Sequence, residues 1–145
     1  MNNKKIIPIL FILLIITVII YLLTCNKKNS TTASLPTFNL QGTTEITYGD
    51  IGCKLWDNEA EDGDTVKVYV DGNLIKDSIE LRNEPITLNL GTLKKGTHIL
   101  GVVAISEGYN SPATASIGLF NKTEIKEFIM NATKDSAASW NIIIK

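Results

Sequence analysis

Two hydrophobic patterns divide the chain. Ile6 to Leu23 is Ile, Leu, Val and Phe apart from Pro8, Thr17 and Tyr21. These 18 residues would span ~27 Å as an α-helix, close to the thickness of a hydrocarbon core. No polar face breaks the run, so a buried helix of a soluble domain is a poor alternative. From Phe38 onward the period becomes two, with turn residues at short intervals. Val66, Val68 and Val70 alternate with Lys67 and Tyr69, and Asp71-Gly72 then signals a tight hairpin. Further short strands are predicted at Thr44 to Tyr48, around Ile51, Cys53 and Leu55, at Asn73 to Lys76, around Ile79 and Leu81, and at Ile86 to Leu90. His98 to Ser106 is apolar on both faces, as a central strand would be. Thr114 to Phe120, Ile125 to Met130 and Trp140 to Ile144 complete the set. Thr123 to Ala132 is also compatible with a helix by composition.

These elements predict an all-β fold, an immunoglobulin-like β-sandwich, preceded by an N-terminal hydrophobic helix. A small barrel is the alternative all-β reading. The expected organisation is a short charged amino end over 1–5, a membrane anchor or lipoprotein signal over 6–24, a flexible tether over 25–37 and the sandwich over 38–145. The tether follows from a polar, small-residue stretch without periodicity.

Three processing routes fit the first segment. A retained single-span anchor suits its length, which exceeds the core of an ordinary cleavable signal. Leu22-Leu23-Thr24-Cys25 resembles a lipobox, with Cys25 as the lipidated residue, although Thr24 stands where Gly, Ala or Ser is usual. An ordinary secretory signal lacks an A-x-A site. All three routes place the domain on the extracytoplasmic side of a membrane, in a periplasm or at a cell surface. Lys27 and Lys28 nearly balance Lys4 and Lys5, so flanking charge decides little.

The formal net charge of −1 argues against nucleic acid as a partner. Two cysteines are too few for a disulfide framework, and the alternation around Cys53 buries it. His98 is the single histidine; without a G-x-S-x-G elbow it reads as structural rather than as half of a nucleophilic pair with Cys53 or Ser106. The spacing of Gly91 and Gly96 is that of a phosphate loop, but Thr97-His98 follows where Lys-Ser/Thr is required.

The most chemically loaded stretch is Trp56 to Gly72. Asp57, Glu59, Glu61, Asp62 and Asp64 place five carboxylates within eight residues, with no Lys or Arg among them. Calcium, which takes ~6–8 oxygen ligands, would relieve that repulsion, with Asp57, Glu59, Asp62 and Asp64 as candidate ligands. An EF-hand is excluded, because counting from Asp57 puts Asp62 where Gly is needed and Val68 where Glu is needed. The competing reading is a solvated acidic turn whose Asp and Gly serve backbone geometry. Trp56 and Tyr109 are candidate ligand contacts, by stacking on a sugar ring or anchoring a protein interface.

The order of these pieces also carries a resemblance. Asp57, Asp62-Gly63-Asp64, the Val66 to Val70 strand, Asp71-Gly72, Leu93 to His98, Glu107-Gly108 and Ser111-Pro112 with Thr114-Ala115 together resemble a β-sandwich module of secreted and lipid-anchored bacterial proteins. Calcium-dependent xylan-binding modules carry a similar D-G-D stretch. The chain departs from the module pattern at Glu59, where Gly is common, and at Asp71, where Asn is common. The resemblance implies an extracytoplasmic accessory or binding module. The expectation is therefore a membrane-anchored binding or structural module without catalytic activity or resident cofactor, its partner a protein or a cell-surface glycan. A calcium-dependent carbohydrate-binding module is the alternative. A hydrolase is disfavoured, because all its carboxylates would crowd one turn.

Overall fold

The computed structural model describes residues 37–57, 59 and 61–145. The expected hydrophobic helix over 6–24, lipidation at Cys25 and the tether up to residue 36 lie outside the described residues. Among those described, no helix is long and apolar enough to cross a membrane.

Nine strands follow one another: β1 (Phe38–Ile46), β2 (Asp50–Trp56), β3 (Asp64–Val70), β4 (Asn73–Glu80), β5 (Ile86–Thr92), β6 (Gly96–Glu107), β7 (Ala113–Phe120), β8 (Ile125–Ala132) and β9 (Ala137–Ile144). They form two sheets, ordered β1-β9-β6-β3-β4 and β5-β2-β7-β8. The all-β, two-sheet sandwich expected from the alternation is what the chain adopts. Its core is built from the inward positions of both sheets. Val66, Val68, Leu100 and Val102 from the first sheet meet Cys53, Leu55, Ile117, Leu119 and Met130 from the second, all buried.

Several elements differ from their expected form. Ile79 lies near the end of β4, one strand with Asn73 to Lys76, kept in register with β3 across two irregularities. β6 is central, between β9 and β3, but its outer face is open to solvent at Ile99 and Ile105. The strand expected at Ile125 to Met130 does form, as β8, and the helix compatible with Thr123 to Ala132 does not. Ile125, Phe128, Ile129 and Ala132 have helical spacing, yet β8 pairs with β7 along its whole length, from Phe120↔Ile125 to Ala113↔Ala132. Asn121 sets the intervening turn, its Oδ1 accepting N–H bonds from Thr123 and Glu124. Glu124 then ties this turn to Thr47, and its carboxyl is held down to about 2 by Lys126 and Thr47.

The Asp71-Gly72 hairpin forms with both residues at positive φ, 50° and 77°. Asp71 also reaches His98. Its Oδ2 lies 2.6 Å from Nδ1, while the other ring nitrogen, Nε2, lies 2.8 Å from the Lys94 carbonyl. Both partners are acceptors, so only an imidazolium, with two N–H donors, satisfies them together. The Asp71 bond is the first cause of a raised His98 pKa. A raised folded pKa means stability fully present below the unfolded value of ~6.5 and lost as pH rises through the folded value. The melting temperature is thus expected to fall as pH rises above about 6.5, and to lose that slope in His98→Gln. Identical pH profiles for the two proteins would refute the clasp.

The strand directions place the β2–β3, β4–β5 and β6–β7 connections at one end of the sandwich. That end holds the acidic turn.

Candidate functional site

The acidic turn is assembled by backbone bonds before its carboxylates meet. β2 ends at Trp56, and the N–H of Asp57 then donates to the Arg82 carbonyl at 2.8 Å. Asp57 Oδ1 accepts the Glu59 N–H at 2.8 Å, a local turn of the kind aspartate favours. At the start of β3 the Asp64 carbonyl accepts the Leu81 N–H, and Glu61 accepts the Asn83 N–H. The β2–β3 connection is therefore fastened to the β4–β5 connection.

The β6–β7 connection joins them from the other side. Asp62 Oδ2 accepts the N–H groups of Tyr109 at 3.0 Å and Asn110 at 2.8 Å. Asp64 Oδ2 accepts the Thr114 N–H at 2.8 Å. Glu107 accepts the Ser111 hydroxyl, which pins the loop from within, and the Lys134 N–H, which fastens it to the β8–β9 connection. Gly108, with φ of 56°, passes so close that a Cβ there would sit 2.1 Å from Asp62 Oδ1.

Asp57, Asp62 and Asp64 each bring one carboxylate oxygen to within 4.8 Å of the others. Asp57 and Asp64 are buried, at 3% exposure each. Burial raises the Asp64 pKa; the Thr114 N–H opposes this, and repulsion from Asp62 and Asp57 adds to it. These three surround a cleft of about 30 Å³ that Asn110, Pro112 and Thr114 complete. Glu59 borders the cleft but its carboxylate stands outside the three-oxygen group.

The two candidate aromatics are placed differently. Trp56 is half-buried on the outer face of the four-stranded sheet, packed over Gly118 beside Ile125. Tyr109 stands on the pinned β6–β7 loop and is 93% exposed. What the sequence did not show is the contact between this loop and the acidic turn. Glu107-Gly108 and Ser111-Pro112 were visible as motifs, but nothing local tied them to the acidic turn 43 or more residues earlier. His98 and Cys53 do not meet. His98 is held by Asp71 and Lys94, and Cys53 is fully buried with its thiol pushed up to about 12 by burial.

No family model matches the chain, and no curated protein matches it. Among solved structures it is similar to a lytic polysaccharide monooxygenase from Jonesia denitrificans, with 15% sequence identity and a TM-score of 0.27. The match takes in 71% of this chain and 58% of that one, so the chain spans less than two-thirds of that enzyme's length. The similar structure is an enzyme, so the expectation of a chain without catalytic activity finds no support in this comparison. At that TM-score the likeness carries no reaction, metal or substrate over to this chain.

Proposed function

We propose that this chain is a membrane-tethered, extracytoplasmic β-sandwich module of immunoglobulin-like type that docks onto a cell-surface macromolecule, protein or glycan, through its β6–β7 loop. The observation that carries this reading is Tyr109. It is 93% exposed, yet its own N–H and that of Asn110 are held by Asp62. An exposed aromatic on a fastened loop loses little conformational freedom on binding, which is what a contact anchor requires. The apolar run over 6–24 and the polar stretch after it support the tethered placement.

The full chain in detergent, tested on insoluble cell-surface polysaccharide and on immobilised surface-protein extract, should be retained by one of the two. Tyr109→Ala should weaken that retention about tenfold or more, the scale of an interface anchor, with an unchanged melting temperature. Equal retention of the two proteins, or retention of neither, would overturn the reading. Intact mass of the membrane-extracted chain tests the tether. A full-length mass or an acylated mass beginning at Cys25 agrees with it, and an unacylated chain lacking 6–24 does not.

A further inference from the structure

We propose that Asp57, Asp62 and Asp64 form a binding site for a divalent, oxygen-preferring cation of the calcium class. The proposal is independent of Tyr109 docking, since either can hold without the other.

Crowded carboxylates alone do not make a site. What points to a ligand here is which oxygens are used and which are not. Asp62 and Asp64 each spend Oδ2 on backbone N–H groups. Their Oδ1 atoms are buried and have no hydrogen-bond partner. Asp64 is only 3% exposed, and its free oxygen is a buried acceptor on a carboxylate that converges with two others. Leaving such an oxygen unmatched is costly, and native proteins rarely do so without an ion, a water or a proton to meet it.

Among the described residues, no side-chain cation pairs with these three carboxylates. The ion pairs among the described residues are Lys67–Asp77, Arg82–Glu80, His98–Asp71, Lys126–Glu124 and Lys145–Glu45. Arg82 is the nearest by chain contact, because its carbonyl accepts the Asp57 N–H, but its guanidinium goes to Glu80.

The geometry suits an ion. The backbone bonds to Oδ2 hold the Asp62 and Asp64 carboxylates in place, as a preorganised ligand shell requires. The cleft of about 30 Å³ has room for a water or a small ion. The three side chains offer oxygen and neither sulfur nor imidazole nitrogen, which selects calcium-like cations over zinc. Three carboxylates fill part of a shell of ~6–8 oxygens, leaving the remainder to water.

The competing account is a proton shared between Asp62 and Asp64. The two differ in a metal titration. The full chain in detergent, stripped with chelator, is melted with increasing calcium. Calcium about 100-fold above its dissociation constant should raise the melting temperature by roughly 10 °C. Asp64→Asn keeps an oxygen for the Thr114 N–H and turns an NH₂ toward Asp62. It should match or exceed the metal-free wild type and lose the calcium shift. Asp57→Asn provides a second variant with the same expected loss of shift. A wild type unmoved by calcium, magnesium and manganese, or the same shift in the variants, would overturn the site.

Discussion

Replacing Ile117 with alanine is expected to cost about 2–5 kcal/mol of stability, the range for truncating a fully buried branched side chain. Ile117 has no exposed surface, and it sits in the middle of β7 opposite Leu55 on β2 and Phe128 on β8. Both neighbours are themselves held in the sheet, so the cavity cannot close by moving one strand without breaking the ladder on its other side. The loss belongs at the high end for that reason. Denaturant unfolding should show a lower midpoint with an unchanged slope. A loss below about 1 kcal/mol would mean that the two sheets collapse onto the gap, contrary to a rigidly packed core.

Gly108→Ala should cost about 4 kcal/mol or more, and its effect should be local to the acidic end. Backbone strain and a steric collision both contribute. A left-handed φ costs an L-residue ~1–2 kcal/mol, and Gly108 has φ of 56°. The collision costs more. The new Cβ would lie 2.1 Å from Asp62 Oδ1 and 2.4 Å from its Cγ, so the carboxylate must swing away. Swinging it releases the N–H groups of Tyr109 and Asn110, and hydrogen bonds to a charged group are worth ~1.5–3 kcal/mol each. Amide exchange at Tyr109 and Asn110 should accelerate together while β7 stays protected. Protection at those two amides equal to wild type would show that Asp62 does not hold the loop. Gly63→Ala is the control, because it shares a positive φ, 96°, but its Cβ would meet nothing within 4 Å.

How much of this was legible in the sequence varies element by element. The Val66 to Val70 strand and its Asp71-Gly72 turn were readable because alternation and a positive-φ dipeptide are local signals. β1 was only partly readable. The part from Phe38 to Thr43 lies at the sheet edge, mostly exposed, so burial imposes no clean alternation on it. Its partner is β9, parallel, with Phe38 facing Ala137 across nearly the whole domain. β8 has an ambiguous pattern, and pairing with β7 resolved it. Helix propensity is a weak prior once an unpaired strand lies beside the segment.

The acidic end divides in the same way. Its five carboxylates, the lack of nearby positive charge and the D-G-D turn are properties of contiguous residues, and the sequence alone determined them. It also determined the apolar run over 6–24 and the period-two body that follows. Only the tertiary structure decided that Asp57, Asp62 and Asp64 converge while Glu59 stays aside. It alone brought the β6–β7 loop onto Asp62 and Asp64, taking one oxygen from each and leaving the other buried without a partner. The reason is that charge is carried by residues, whereas desolvation and hydrogen-bond satisfaction belong to the surfaces that packing brings together.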